Sequence, residues 1–167
     1  MMDTRALFGI SVLMGFVAFG LVTAIYIWPR LVFVDRNSAL RGLVAPHAFR
    51  FIGLSFLVPG VVSGGLPRTF AAPAAYGDLI AAILAVAAVI ALTRRVAWAT
   101  LLVWIFNVWG TADLLLAFVH GAQVRLDAEM LGAAFFIPTV VVPGLLITHG
   151  MIFWLLVHGK NTSKVAS

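Results

Sequence analysis

The chain has 167 residues, 63% of them hydrophobic and only 10% charged, with a mean hydropathy of +1.10. A soluble domain carries about 25% charged residues, so this composition describes a chain built for a non-aqueous surrounding. The formal net charge of +5 is scattered between apolar runs, which argues against a nucleic-acid surface, and the lack of cysteine excludes disulfides, thiolate catalysis and CxxC redox chemistry.

Ala6–Trp28 predicts a first span, free of charge and closed by Tyr26 and Trp28 as interfacial anchors. The same stretch also reads as a signal peptide, with Arg5, an apolar core and Val22-Thr23-Ala24 as the cleavage site. Pro29–Gly42 carries Arg30, Asp35, Arg36 and Arg41 and predicts a basic loop. Leu43–Val62 predicts a short second span, with Pro46 suited to a first helical position and His47 and Arg50 near its start. A re-entrant segment is the alternative there.

Ser63–Pro73, with two glycines and two prolines, predicts a turn-rich connection. Ala74–Leu92 is the third expected span, alanine-rich, so that neighbouring helices can approach closely. Val96–His120 is the fourth, and it holds Asn107, Thr111 and Asp113 inside an apolar run. Met130–His158 is the fifth, longer than a straight crossing requires and bent at Pro138 and Pro143. A polar tail with Lys160 and Lys164 follows.

The expected fold is therefore an all-α integral membrane protein, one domain of about five transmembrane helices. Five crossings gather Arg30, Arg36, Arg41, Arg94, Arg95, Lys160 and Lys164 on one side and leave Arg5, Arg68 and Arg125 on the other. The positive-inside rule then puts the N-terminus outside and the C-terminus in the cytoplasm, in a plasma (inner) membrane.

A carboxylate inside an apolar run should face a protein interior or a water-filled cavity, which singles out Asp113. Asp78, near the expected outer start of the third span, would lie at similar depth. Two such carboxylates suit proton transfer or cation binding. Arg68 just before it would neutralise one of them, and capping of a first helical turn by Asp78 is the plainer alternative.

Trp104 and Asn107 share a helix face, while Trp109 stands over Asp113 at i and i+4, so both tryptophans are candidates to line a ligand pocket. His149, Arg50 and His47 form a second expected polar cluster nearer the inner side, and His47 with His149 would be the axial pair if the chain held a haem. P-loop, GxGxxG, GxSxG and HExxH motifs and paired metal-ligand spacings are absent.

In size, basic balance, tryptophan content and five-span plan the chain resembles the tryptophan-rich sensory/translocator proteins in outline, with Asn107 between Trp104 and Trp109. The aromatic-proline signatures of that family are missing, so no residue role is carried over and no membership follows.

The leading functional expectation is binding, extending to translocation, of a small lipophilic or amphipathic ligand in a polar pocket. Asp113, Asn107, Trp104 and Trp109 would line it, with Asp78 and Arg68 at the outer mouth. The alternatives are a membrane-embedded enzyme using Asp113 or His149 as acid or base on a lipid-like substrate, and the haem protein. Membrane lipids, the lipophilic ligand and a second copy of the chain are the expected partners; no metal site is expected.

Overall fold

The computed structural model describes residues 3–31 and 33–158, so Lys160 and Lys164 fall outside the described residues. Among the described residues every regular element is helical. Helix α1 is Thr4–Leu31, started by the Asp3 side chain, which accepts from the Arg5 N–H at 3.2 Å. Helix α2, Arg36–Val44, runs without a break into a 3-10 helix, Ala45–Leu57. Helix α3 is Arg68–Thr93, α4 is Ala99–Gln123, α5 is the single turn Ala128–Leu131, and α6 is Ile137–His158.

Four helices, α1, α3, α4 and α6, are long and apolar enough to cross a membrane. The sequence pointed to five, and the difference lies in the second. Leu43–Val62 is not one α-helix: it straddles the end of α2, the 3-10 helix and a turn. A 3-10 helix rises about 2.0 Å per residue, so its 13 residues reach about 26 Å where an α-helix would reach about 20 Å.

The tighter winding also decides which residues face inward. Three residues per turn put His47, Arg50, Gly53 and Phe56 on one straight ridge, and these four are the buried residues of the segment. In an α-helix, residues 47 and 56 would point to opposite sides, about 180° apart. Runs beyond three or four residues are uncommon for 3-10 geometry. This one packs against α3 more extensively than any other pair of elements packs together.

Two further boundaries move. Helix α3 begins at Arg68 behind Pro67, not at Ala74, and takes Pro73 inside it. Asp78 is therefore deep in the helix and caps nothing. The last span breaks at Gly132, whose φ of +52° suits glycine, before a π-turn over Ile137–Val141 that contains Pro138. Pro143 has no N–H for the Thr139 carbonyl, and that carbonyl lies where a Cβ on Gly15 would sit. Phe19 rests on Gly144 in the same way. Small residues thus bring α1 against α6, although no residue of α1 is buried.

The helices alternate in direction. At one end the Ser63 N–H bonds the Met130 carbonyl at 3.1 Å and the Ala133 N–H bonds the Val61 carbonyl at 2.8 Å. At the other, the Arg36 guanidinium donates to the Leu155 and Leu156 carbonyls at 3.0 and 3.2 Å. One apolar cluster, around Leu40, Val44, Phe106 and Ile152, fills the second end. Another, around Phe56, Phe70, Leu114 and Leu131, fills the first. Along the 3-10 helix, α3, α4 and α6 the buried His47, Arg50, Asp78, Asn107 and His149 fall between these two clusters, as a layer across the middle.

Asp35 caps α2, accepting from the Ser38 N–H at 3.1 Å. Hydrogen bonds from the Ser38 side chain and then its backbone hold the Asp35 carboxyl below the usual carboxylate range. A folded-state pKa below the unfolded one gives a contribution that is complete at neutral pH and lost as the pH falls through that range. Acidification should lower the protection of the first-turn amides of α2, measured as hydrogen exchange relative to the intrinsic rate at the same pH. Asp35→Asn, which caps without titrating, should remove that pH dependence; equal acid sensitivity in both proteins would refute the assignment.

Candidate functional site

Arg50 is the centre of the polar layer and is 1% exposed. Its Nε donates to Asp78 Oδ1 on α3 at 2.7 Å, and its Nη2 donates to Asp113 Oδ2 on α4 at 2.6 Å. Nη1 donates to the Gly110 carbonyl at 3.2 Å and lies 3.4 Å from His149 Nε2 on α6. All three nitrogens are thus used, each on a different helix or carboxylate.

The Nε–Nη2 edge is the one that normally receives both oxygens of a single carboxylate. Here two carboxylates share it, each giving one oxygen.

The rest of the layer follows from His149. Asn107 Nδ2 donates to the His149 carbonyl at 3.2 Å, so Asn107 Oδ1 faces His149 Nδ1 at 2.7 Å and accepts its proton. His149 Nε2 is left to accept from Arg50. Thr148 Oγ1 donates to backbone carbonyls of its own helix and accepts from His47 Nε2 at 2.9 Å. His47 Nδ1 is buried and has no hydrogen-bond partner among the described residues.

Three glycines make the room. A Cβ on Gly53 would overlap the Asp78 carboxylate, and one on Gly77 would overlap that of Asp113. One on Gly110 would sit 2.7 Å from His149 Cε1 and 2.8 Å from Arg50 Nη1.

Beside this layer lies a cavity of about 210 Å³. Its walls are apolar, including Phe8, Phe56, Phe70, Leu114, Phe118, Ile137 and Val142, and its charged lining is Asp78, Asp113 and Arg125. Residues 113 and 125 are about 18 Å apart along the helix direction, so the carboxylates and Arg125 mark opposite ends.

The structure redistributes the expected site residues. Asp78, Asp113, Arg50, His149 and Asn107 come together in one layer, so the two clusters read from the sequence are one. Arg68 does not join them. It is exposed at the start of α3, about 15 Å along the axis from Asp78, and the cation beside Asp78 is Arg50.

Neither tryptophan lines the cavity. Trp104 packs on Phe153 with centroids 5.8 Å apart, and Trp109, 43% exposed on the outer surface, reaches the Gly77 carbonyl at 3.5 Å. Gly53, Gly77, Gly110 and Thr148, and the phenylalanines of the wall, were not singled out by the sequence reading. The three-residue spacing of His47, Arg50, Gly53 and Phe56 is a signal for Gly53 and Phe56; the sequence carries no comparable signal for the others.

The residues do not fit a haem between His47 and His149. Their rings are 4.3 Å apart by centroid, both are fully enclosed, and neither lines the cavity. A macrocycle has to pass between its axial imidazoles, and these already touch. Among the described residues no three His, Cys, Asp or Glu side chains gather as a metal site.

The fold and this layer define a class: an all-helical bundle of membrane-crossing length with a buried, charged middle. The chain belongs to the family described as Domain of unknown function (DUF8737), which it matches over residues 7–157. No curated protein and no solved structure matches it.

Proposed function

We propose that this protein is an integral membrane protein that binds a small amphipathic ligand in the cavity beside Asp113. The observation that carries the reading is the cavity's polarity: apolar aromatic walls lead to two carboxylates at one end. Pockets of this type take the apolar body of a ligand by burial and orient its head by a few polar groups.

The exposed apolar side chains of α1, such as Ile10, Leu13, Met14 and Leu21, would face lipid. With the α2–3-10 segment as a fifth crossing, Arg36, Arg94 and Arg95 stand at the cytoplasmic side of the plasma membrane, and the cavity lies toward the outer face. The cluster around Leu40, Val44 and Phe106 closes the other end, so the reading is of a binding site whose ligand, if carried across, needs a rearrangement there.

Alkyl compounds with polar heads should raise the melting temperature of the protein in mild detergent, by about 2.7 kcal/mol of stabilisation at a concentration 100 times Kd. Ala117→Phe places a ring into the cavity lined by Ala117 and should remove this stabilisation while leaving the fold intact. Equal stabilisation of both proteins would place the binding elsewhere and overturn the assignment.

A further inference from the structure

The charges of the buried layer do not balance. Arg50 carries one positive charge against the two carboxylates of Asp78 and Asp113. The other titratable or charged groups on the packed elements do not supply the missing charge. His149 on α6 accepts from Arg50 and donates its Nδ1–H hydrogen bond to Asn107 Oδ1, so it is neutral, and His47 stands behind it against Thr148. Helix α1 contributes Phe8, which has no charge, and Arg125 is exposed at the far end of the cavity. One negative charge therefore remains uncompensated in a water-poor interior, where an unpaired ion is strongly disfavoured.

The oxygens that Arg50 does not use lie against Gly53 and Gly77 at the edge of the cavity. Asp78 Oδ2 and Asp113 Oδ1 accept no hydrogen bond among the described residues, and both aspartates line the cavity. Asp78 is only 6% exposed, and its second oxygen lies against Gly53 rather than in bulk solvent. Two carboxylates crowded on one guanidinium edge hold a single additional positive charge better than none. That charge is a proton when the cavity is empty and the head of the ligand when it is filled.

Resting on the binding reading above, we infer that the cavity exchanges one proton for one organic monocation, an alkylammonium in chemical class. No bond other than O–H is made or broken: the carboxylate pair gives its proton to solvent as the ammonium head takes its place. The cation keeps its own protons and the apolar chain lies along Phe56, Phe70 and Phe118.

The test is calorimetry at about pH 5, where the carboxylate pair still holds its proton, on the detergent-purified protein, in two buffers of different ionisation enthalpy, with n-butyl- to n-decylammonium and the matching n-alcohols. The expected result is one proton released per ammonium bound and none per alcohol. Asp113→Asn leaves one cation and one anion, so its layer is neutral; it should bind the alcohols as before, bind the ammonium ions about tenfold or more weakly, and release no proton.

Ammonium binding without proton release would overturn the exchange. Equal binding of alcohols and ammonium ions would also overturn it while sparing the cavity as a binding site. No binding in either series would sink both. The proton count in the wild-type protein decides the matter even where the variant does not fold.

Discussion

Arg50→Leu should destabilise the bundle by about 3–5 kcal/mol, because it leaves the Asp78 and Asp113 carboxylates buried without their cation. Against a total stability of about 5–15 kcal/mol, that is enough to depopulate the folded state near the growth temperature. Arg50→Lys should rescue little. An ammonium is a point charge, and it cannot serve Asp78, Asp113 and the Gly110 carbonyl from three directions as the planar fork does.

Adding Asp78→Asn and Asp113→Asn to Arg50→Leu should recover most of the loss, since no buried charge then remains. Thermal unfolding followed by circular dichroism in detergent measures all four proteins. A wild-type melting curve for Arg50→Leu alone would show that the layer does not hold the bundle together.

Gly77→Ala is the second large effect expected, and its sign is the informative part. In an unobstructed helix, glycine to alanine gains up to about 1 kcal/mol. At Gly77 the added methyl group occupies the space of the Asp113 carboxylate, so it should destabilise by about 1–3 kcal/mol and displace Asp113 from Arg50. Gly150 on α6 is the control: it is exposed, and a Cβ there meets nothing within 4 Å. Gly150→Ala should be neutral or stabilising in the same melting experiment. If the two variants shift in the same direction, steric exclusion at Gly77 is not what the glycine provides.

The sequence made the class legible because composition and the long apolar runs report directly on what surrounds a chain. Helices α1, α3, α4 and α6 appear where those runs are. Asp113 was legible as well, since a carboxylate in such a run demands a partner. What the sequence did not disclose was which partner.

Depths assigned with an α-helical rise of 1.5 Å per residue separated Arg50 from Asp78 and Asp113. Helix α2 already begins at Arg36 rather than at Leu43, which carries Arg50 about 10 Å deeper, and the 3-10 rise and the reach of the guanidinium complete the approach. The early start of α3 misled in the same way. Pro67 and Pro73 read as loop, yet Pro67 only precedes the helix and Pro73 is accommodated within it, so Asp78 looked like a cap. The tryptophans misled because aromatic character alone does not say which way a side chain points, and Trp109 points outward.

The straight ridge of His47, Arg50, Gly53 and Phe56 also constrains how this chain can vary in length. Deleting or inserting one residue between positions 47 and 56 would swing everything beyond it by about 120° and carry part of the ridge to the opposite surface. A change of three residues would preserve the ridge and shift it by one repeat, about 6 Å. Length changes in this stretch are therefore tolerable only in threes, a reading frame written into the polypeptide rather than the gene.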